Sequence, residues 1–198
     1  MGYTHYYKTP KRFAKAEFVK FSEDVKKILA YCNDELGISI GDAYGEEKPE
    51  IDSNIVSFNG SVRQPAGMWT TKEQISIPWP SSTASLLDIP TDPIADKTAG
   101  STLFGDLVNQ RVAPAYEDNP NFADGSYETF YIERVQKHGS GFCKTAYRPY
   151  DLAVTASLIA LKHYFPECII KTDGKEKDWL DAKILCNNVL GYGLDFEI

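Results

Sequence analysis

The sequence predicts a single α+β domain: a mixed or antiparallel sheet of about four strands, three helices and a long ordered insertion. Three observations carry that prediction. Several short runs alternate apolar and polar residues, as half-buried strands do. Three longer runs repeat apolar residues at helical spacing. These elements follow one another in the order β-α-β-(insertion)-β-α-β-α, and 198 residues suffice to enclose one core. No glycine-rich loop follows a strand, which excludes the dinucleotide-binding and P-loop folds.

The first strand covers residues 2–8, with Tyr3, His5 and Tyr7 on one face and Thr4, Tyr6 and Lys8 on the other. Thr9-Pro10 ends it. A helix over 14–36 follows, its inner stripe formed by Phe18, Phe21, Val25, Ile28, Leu29 and Cys32, with Gly37 as its stop. Residues 38–44 are ambiguous. Residues 54–59 read as a strand closed by an Asn59-Gly60 turn, and 127–135 as the best alternating strand of the chain. A second helix over 149–165 opens with Pro149 at its first position and is apolar around most of its circumference, which predicts a central, buried helix. Residues 168–172 form the last strand. The third helix, over 175–190, is expected to be capped by Asp173 with Glu176 and ended by Gly191 and Gly193. Residues 61–126, rich in Pro, Ser, Thr and Asp, read as an insertion or lid with a short helix at 103–110.

Composition narrows the function classes. A net charge of −7 and a pI of about 5.0, without a basic stripe, exclude an extended nucleic acid as partner. A small anion in a local basic pocket is still allowed. Aromatic content of 13%, with 12 tyrosines, suits either a recognition surface or a tyrosine-rich core. Cys32, Cys143, Cys168 and Cys186 have no C-x-x-C spacing, so they are expected to be reduced and mostly buried in a cytoplasmic protein. Residues 1–20 lack the apolar core of a signal peptide, and no run reaches the ~18 apolar residues of a membrane span. His138 and His163 lack partners at ligand spacing, so neither a metal nor a cofactor is expected.

The motifs Gly2-Tyr3-Thr4-His5-Tyr6-Tyr7, Ser57-Phe58-Asn59-Gly60, Glu128-Thr129-Phe130 and Phe142-Cys143-Lys144-Thr145, with Pro149-Tyr150-Asp151, resemble a family of small bacteriophage and bacterial proteins that typically begin Gly-Tyr-Thr-His-Tyr-Trp. Tyr7 stands where that family has Trp, and the resemblance leaves out 61–126. The family has no established activity. The resemblance implies a phage-linked origin, the host cytosol as location, and one site into which His5, Asn59, Glu128, Lys144, Thr145, Tyr150 and Asp151 converge.

The residues add their own reading of that site. Lys144, Thr145 and Arg148 precede the second helix, where backbone N–H groups and two cations could hold a phosphate. Asp151, expected at the third helical position, competes for the same field, which by itself is worth only ~0.3–1 kcal/mol. Tyr6, Tyr150 or an insertion tryptophan could stack on a base, although a core plug is the commoner use of residues such as Trp69 and Trp79. The Asn59 amide or His5 could read a base edge. Glu128 is expected to pair with Lys144 or Arg148, and Cys143 to be a buried thiol. The expected ligand-binding set is therefore His5, Tyr6, Asn59, Glu128, Lys144, Thr145, Arg148 and Tyr150. The expected function is capture of a small, nucleotide-like anion, in one form as a sponge for the signalling nucleotides of host immunity. Two alternatives stand beside it. One is an enzyme on such a ligand with His5 and Glu128 as acid and base. The other is a protein–protein inhibitor of a host defence factor acting through the insertion. A pocket shared across a homo-oligomer is a further open arrangement.

Overall fold

The computed structural model describes residues 3–70 and 111–198, so the expected helix at 103–110 and the side chain of Trp79 lie outside the described residues. The α+β fold is as the sequence predicts. Strand β1 (Thr4–Lys8) leads into helix α1 (Lys15–Asp34). The short strands β2 (Ile40–Gly41) and β3 (Glu50–Ile51) precede β4 (Ile55–Gly60), and β5 (Gln64–Pro65) follows it. After the undescribed stretch come β6 (Phe122–Ala123), β7 (Phe130–Glu133) and β8 (Ser140–Lys144). Helix α2 (Asp151–Tyr164), strand β9 (Ile169–Thr172) and helix α3 (Leu180–Leu190) complete the chain.

All described strand pairs are antiparallel. One sheet has the order β8-β1-β9. A second is built on β4, which pairs with β2, β3 and β7. A two-residue ribbon, β5-β6, is the third. The Tyr7 hydroxyl ties the first sheet to the second by donating to the Tyr131 carbonyl at 3.0 Å. Helix α2 is the hub: every residue from Asp151 to Leu161 is buried, as its all-round apolar sequence predicts. It packs against both α1 and α3. Phe18, Phe21, Val25, Ile28, Leu29 and Cys32 of α1 join the same core.

Four local expectations need correction. Strand β8 was not anticipated, because Ser140-Gly141-Phe142-Cys143-Lys144 lacks β-branched residues and carries a glycine. That glycine has a packing reason: a Cβ on it would stand 2.4 Å from the Tyr7 ring. Asn59-Gly60 is not a turn but the end of β4, where Gly60 is needed because the Gly125 carbonyl passes over it. Pro149 lies before the helix rather than at its first position, which belongs to Asp151. The third helix begins as a 3-10 turn, Glu176–Trp179, and its start is held by Asp178, whose carboxylate accepts the Lys175 N–H at 2.7 Å, rather than by Asp173 and Glu176.

Candidate functional site

The expected site residues fall into three places. His5 and Thr145 meet at Asp151 in a fully buried polar cluster. His5 Nε2 lies 2.8 Å from Asp151 Oδ1, and the Thr145 hydroxyl donates to the same oxygen at 2.6 Å. The other carboxylate oxygen, Oδ2, accepts from Arg111 Nε at 3.1 Å. Arg111 also donates to Asp181 Oδ2 at 2.6 Å and to the Asp178 carbonyl at 3.3 Å. Burial works against the charged form of Asp151, but His5, Arg111 and the Thr145 hydroxyl outweigh it and hold the carboxyl down at about 2. The Arg111 guanidinium, although buried, is kept charged by Asp151 and Asp181. Rings enclose the cluster: His5 meets Tyr3 and Trp179 edge to face, and Tyr147 stacks on Tyr3 at 4.0 Å.

This arrangement closes the N-terminus of α2. Asp151, its first residue, spends both carboxylate oxygens on His5, Thr145 and Arg111 within this cluster. The Asp151 and Leu152 N–H groups already donate to the carbonyls of Arg148 and Pro149. Tyr150 is wholly buried there, its hydroxyl donating to the Glu128 carbonyl at 2.6 Å.

The second group surrounds Tyr127, three residues before β7. The Glu128 carboxylate accepts the backbone N–H of Lys144 at 2.8 Å. Lys144 Nζ and the Arg148 guanidinium both approach the Tyr127 ring, at 5.4 and 6.0 Å. The Asn59 amide bridges the backbones of Ala43 and Tyr127, and its oxygen accepts from Gly60 and Tyr127. Both ends of that amide are thus committed to backbone. The Cys143 thiol is buried and donates to the Glu128 carbonyl, and burial pushes its pKa up. All four cysteines are free and buried. Trp69 is a plug: it is 2% exposed and its indole N–H donates to the Leu36 carbonyl at 2.6 Å.

Tyr6 stands apart from both groups. Strand alternation turns it away from His5, onto the outer face of the first sheet. There the register aligns Phe142, Tyr6 and Lys171 in one row across β8, β1 and β9, and Ser140, Lys8 and Ile169 in the next. Tyr6 is 45% exposed and Phe142 60%. They line a groove of about 870 Å³, whose other wall includes Tyr131, Glu133 and Gln136. Lys8, Lys137, Lys171 and His138 also line it, with Glu133 as the single carboxylate among the described lining residues. Of the expected set, only Tyr6 lies here. Lys8, Lys171 and Phe142 are outside the expected ligand-binding set, because strand order rather than proximity in sequence brings them together. Arg111 was missed for the same reason. Among the described residues no cluster of His, Cys, Asp or Glu could hold a metal ion, and no helix is long and apolar enough to cross a membrane.

An α+β domain with a buried ion network and an open, lysine-rimmed aromatic groove defines no single class of protein. Comparison with protein-family models, curated proteins and solved structures returns no significant match.

Proposed function

We propose that the protein binds a small, flat, anionic ligand of nucleotide-like chemistry, and that the groove on the outer face of the β8-β1-β9 sheet is the site. The observation that carries this reading is the row Phe142–Tyr6–Lys171, an exposed aromatic platform ending in a cation. Aromatic side chains on a sheet face offer a stacking surface for a heterocycle, worth about 1–3 kcal/mol per base in single-strand binders. Lys8, Lys137 and Lys171 supply positive charge for a phosphate in a chain whose overall charge is −7. A volume of about 870 Å³ suits a ligand of nucleotide size.

The reading keeps the ligand class expected from the sequence and moves its site. His5 and Glu128 serve poorly as an acid–base pair, since His5 is enclosed with Asp151 and Glu128 is engaged by the Lys144 backbone. Binding without turnover is therefore the preferred form. With the phage-linked resemblance it becomes sequestration of a host signalling nucleotide in the cytosol.

The test incubates the purified protein with a panel of linear and cyclic nucleotides, then identifies by mass spectrometry what heat releases. The expected result is an intact nucleotide from the wild type and none from Tyr6→Ala/Lys171→Ala. A converted nucleotide would replace binding by catalysis. Nothing bound and nothing consumed would overturn the ligand reading.

A further inference from the structure

The groove has two unlike ends. The chain entering β7 runs along the edge of β8 that β1 leaves free: the Glu128 N–H donates to the Lys144 carbonyl at 3.2 Å, and the Lys144 N–H to the Glu128 carboxylate at 2.8 Å. Strand β7 therefore lies beside β8, and β8 and β1 stand between it and β9. Alternation along β7 buries Phe130 and Ile132 completely and turns Tyr131 and Glu133 outward, onto the groove. Phe142 and Tyr6 form the floor on β8 and β1. Lys171 closes the far end on β9, and Lys8 stands diagonal to it, about 7–8 Å away along the sheet, where two long side chains can meet one anion. Glu133 is partly exposed, and none of the ion pairs among the described residues engages it. It lies close to the Tyr131 phenol, whose pKa is raised first by burial and then by Glu133. A carboxylate is a poor neighbour for a phosphate. Its place at the end opposite Lys171 suits a ligand that is anionic at one end and carries N–H donors at the other.

We infer that Glu133 reads the base of a guanine nucleotide in this groove, its carboxylate accepting from the ring N–H and the amino group next to it, while the ring lies on Tyr6 and Phe142 and the phosphate meets Lys8 and Lys171. This rests on the groove being the ligand site, and it narrows the ligand class. Stacking and charge alone would accept any flat aryl phosphate. An ionised carboxylate only accepts hydrogen bonds, and it offers two oxygens side by side. Guanine is the common base that presents two donors side by side. On adenine and cytosine the amino group stands next to a ring nitrogen that itself accepts, so the second carboxylate oxygen would face a lone pair. Uracil sets its one N–H between two carbonyl oxygens. Sites built to hydrogen-bond a ligand group reject analogues that lack it, because the protein group is then left unpaired.

The experiment titrates the full chain with guanosine, xanthosine, adenosine, cytidine and uridine monophosphates, by calorimetry. It compares wild type with Glu133→Gln, Glu133→Ala and Tyr6→Ala. The wild type should prefer guanosine monophosphate over the other four by about tenfold or more, the discrimination of one good bidentate pair. Xanthine replaces the amino group of guanine by a carbonyl, and an amide both donates and accepts. Glu133→Gln should therefore lose affinity for guanosine monophosphate and gain it for xanthosine monophosphate, a reversal that a folding defect does not produce. Glu133→Ala should lose the guanine preference without that gain, and Tyr6→Ala should weaken every ligand. A wild type that binds nucleotides without preferring guanine, or a guanine-to-xanthine ratio unchanged in Glu133→Gln and Glu133→Ala, would overturn the role of Glu133; with Tyr6→Ala still impaired, the groove reading would stand. Failure of the wild type to bind any of the five would overturn both.

Discussion

Two neighbouring residues hold a conformation that L-amino acids avoid. Ala146 and Tyr147 have φ of 49° and 58°, and the Arg148 N–H closes their turn onto the Thr145 carbonyl at 2.9 Å. Both central positions of such a turn favour Gly, Asn or Asp. Tyr147 is held by its stacking on Tyr3 and by the Val112 N–H that its carbonyl accepts. Ala146 has no comparable ring contact, so Ala146→Gly should relieve the left-handed strain and raise stability by about 0.5–1 kcal/mol in denaturant unfolding. The turn sets Thr145 against Asp151, and there the ion network makes the opposite prediction. Arg111→Met removes the cation between two buried carboxylates, and should cost about 3–5 kcal/mol in the same measurement. The pH response follows from Asp151. Its carboxyl is held at about 2, below the ordinary value near 3.9, so its contribution is complete above pH ~5 and is lost as pH falls through 2. Acid unfolding of the wild type should show this loss, and Asp151→Asn should flatten the curve between pH 5 and 2. A slope unchanged by Asp151→Asn would contradict the assignment.

At the scale of elements, periodicity made some of the fold legible and strand order hid the rest. Helix α1 and strand β1 could be read because each has one wet face and one dry face, and α2 because it has no wet face near its centre. The two-residue strands β2, β3, β5 and β6 are too short to carry a period. Strand β8 escaped because its sequence looks like a loop and is a strand only through pairing with β1, 136 residues away at Tyr6 and Phe142. The buried cluster was half legible. His5, Thr145 and Asp151 were named, but Arg111 lies 40 residues before Asp151 and 70 before Asp181, beyond any local pattern. The groove was legible only as Tyr6, since alternation shows which way a residue points and not what stands beside it. Gly141 is where element and groove meet. Its missing Cβ lets the Tyr7 ring lie against β8, with the Tyr7 hydroxyl reaching Tyr131. Gly141→Ala should push Tyr7 aside at a cost of about 1–3 kcal/mol in thermal or denaturant unfolding, and should weaken ligand binding even where the protein is fully folded.

For the whole molecule, charge decides the size of the partner. A net −7 disfavours a long polyanion overall, whereas a single nucleotide meets mainly the lysines that line the groove. Those lysines are exposed, so their attraction is screened over the ~8 Å Debye length of physiological salt. Two consequences separate a nucleotide binder from a single-strand binder that shares the same stacking chemistry. Raising salt from about 50 to 200 mM should weaken a mononucleotide only several-fold, since few counterions are exchanged, whereas a protein making 6–10 phosphate contacts loses about 10³–10⁵. Lengthening the ligand should bring no gain, because each added phosphate leaves the groove's lysines for the rest of a chain of net charge −7. Fluorescence anisotropy with labelled oligonucleotides of one, four and twelve residues checks this directly. Equal or falling affinity with length is the expected outcome. An affinity that climbs with length would show that the aromatic row continues into a longer track, and would make the groove the first subsite of a single-strand binding surface.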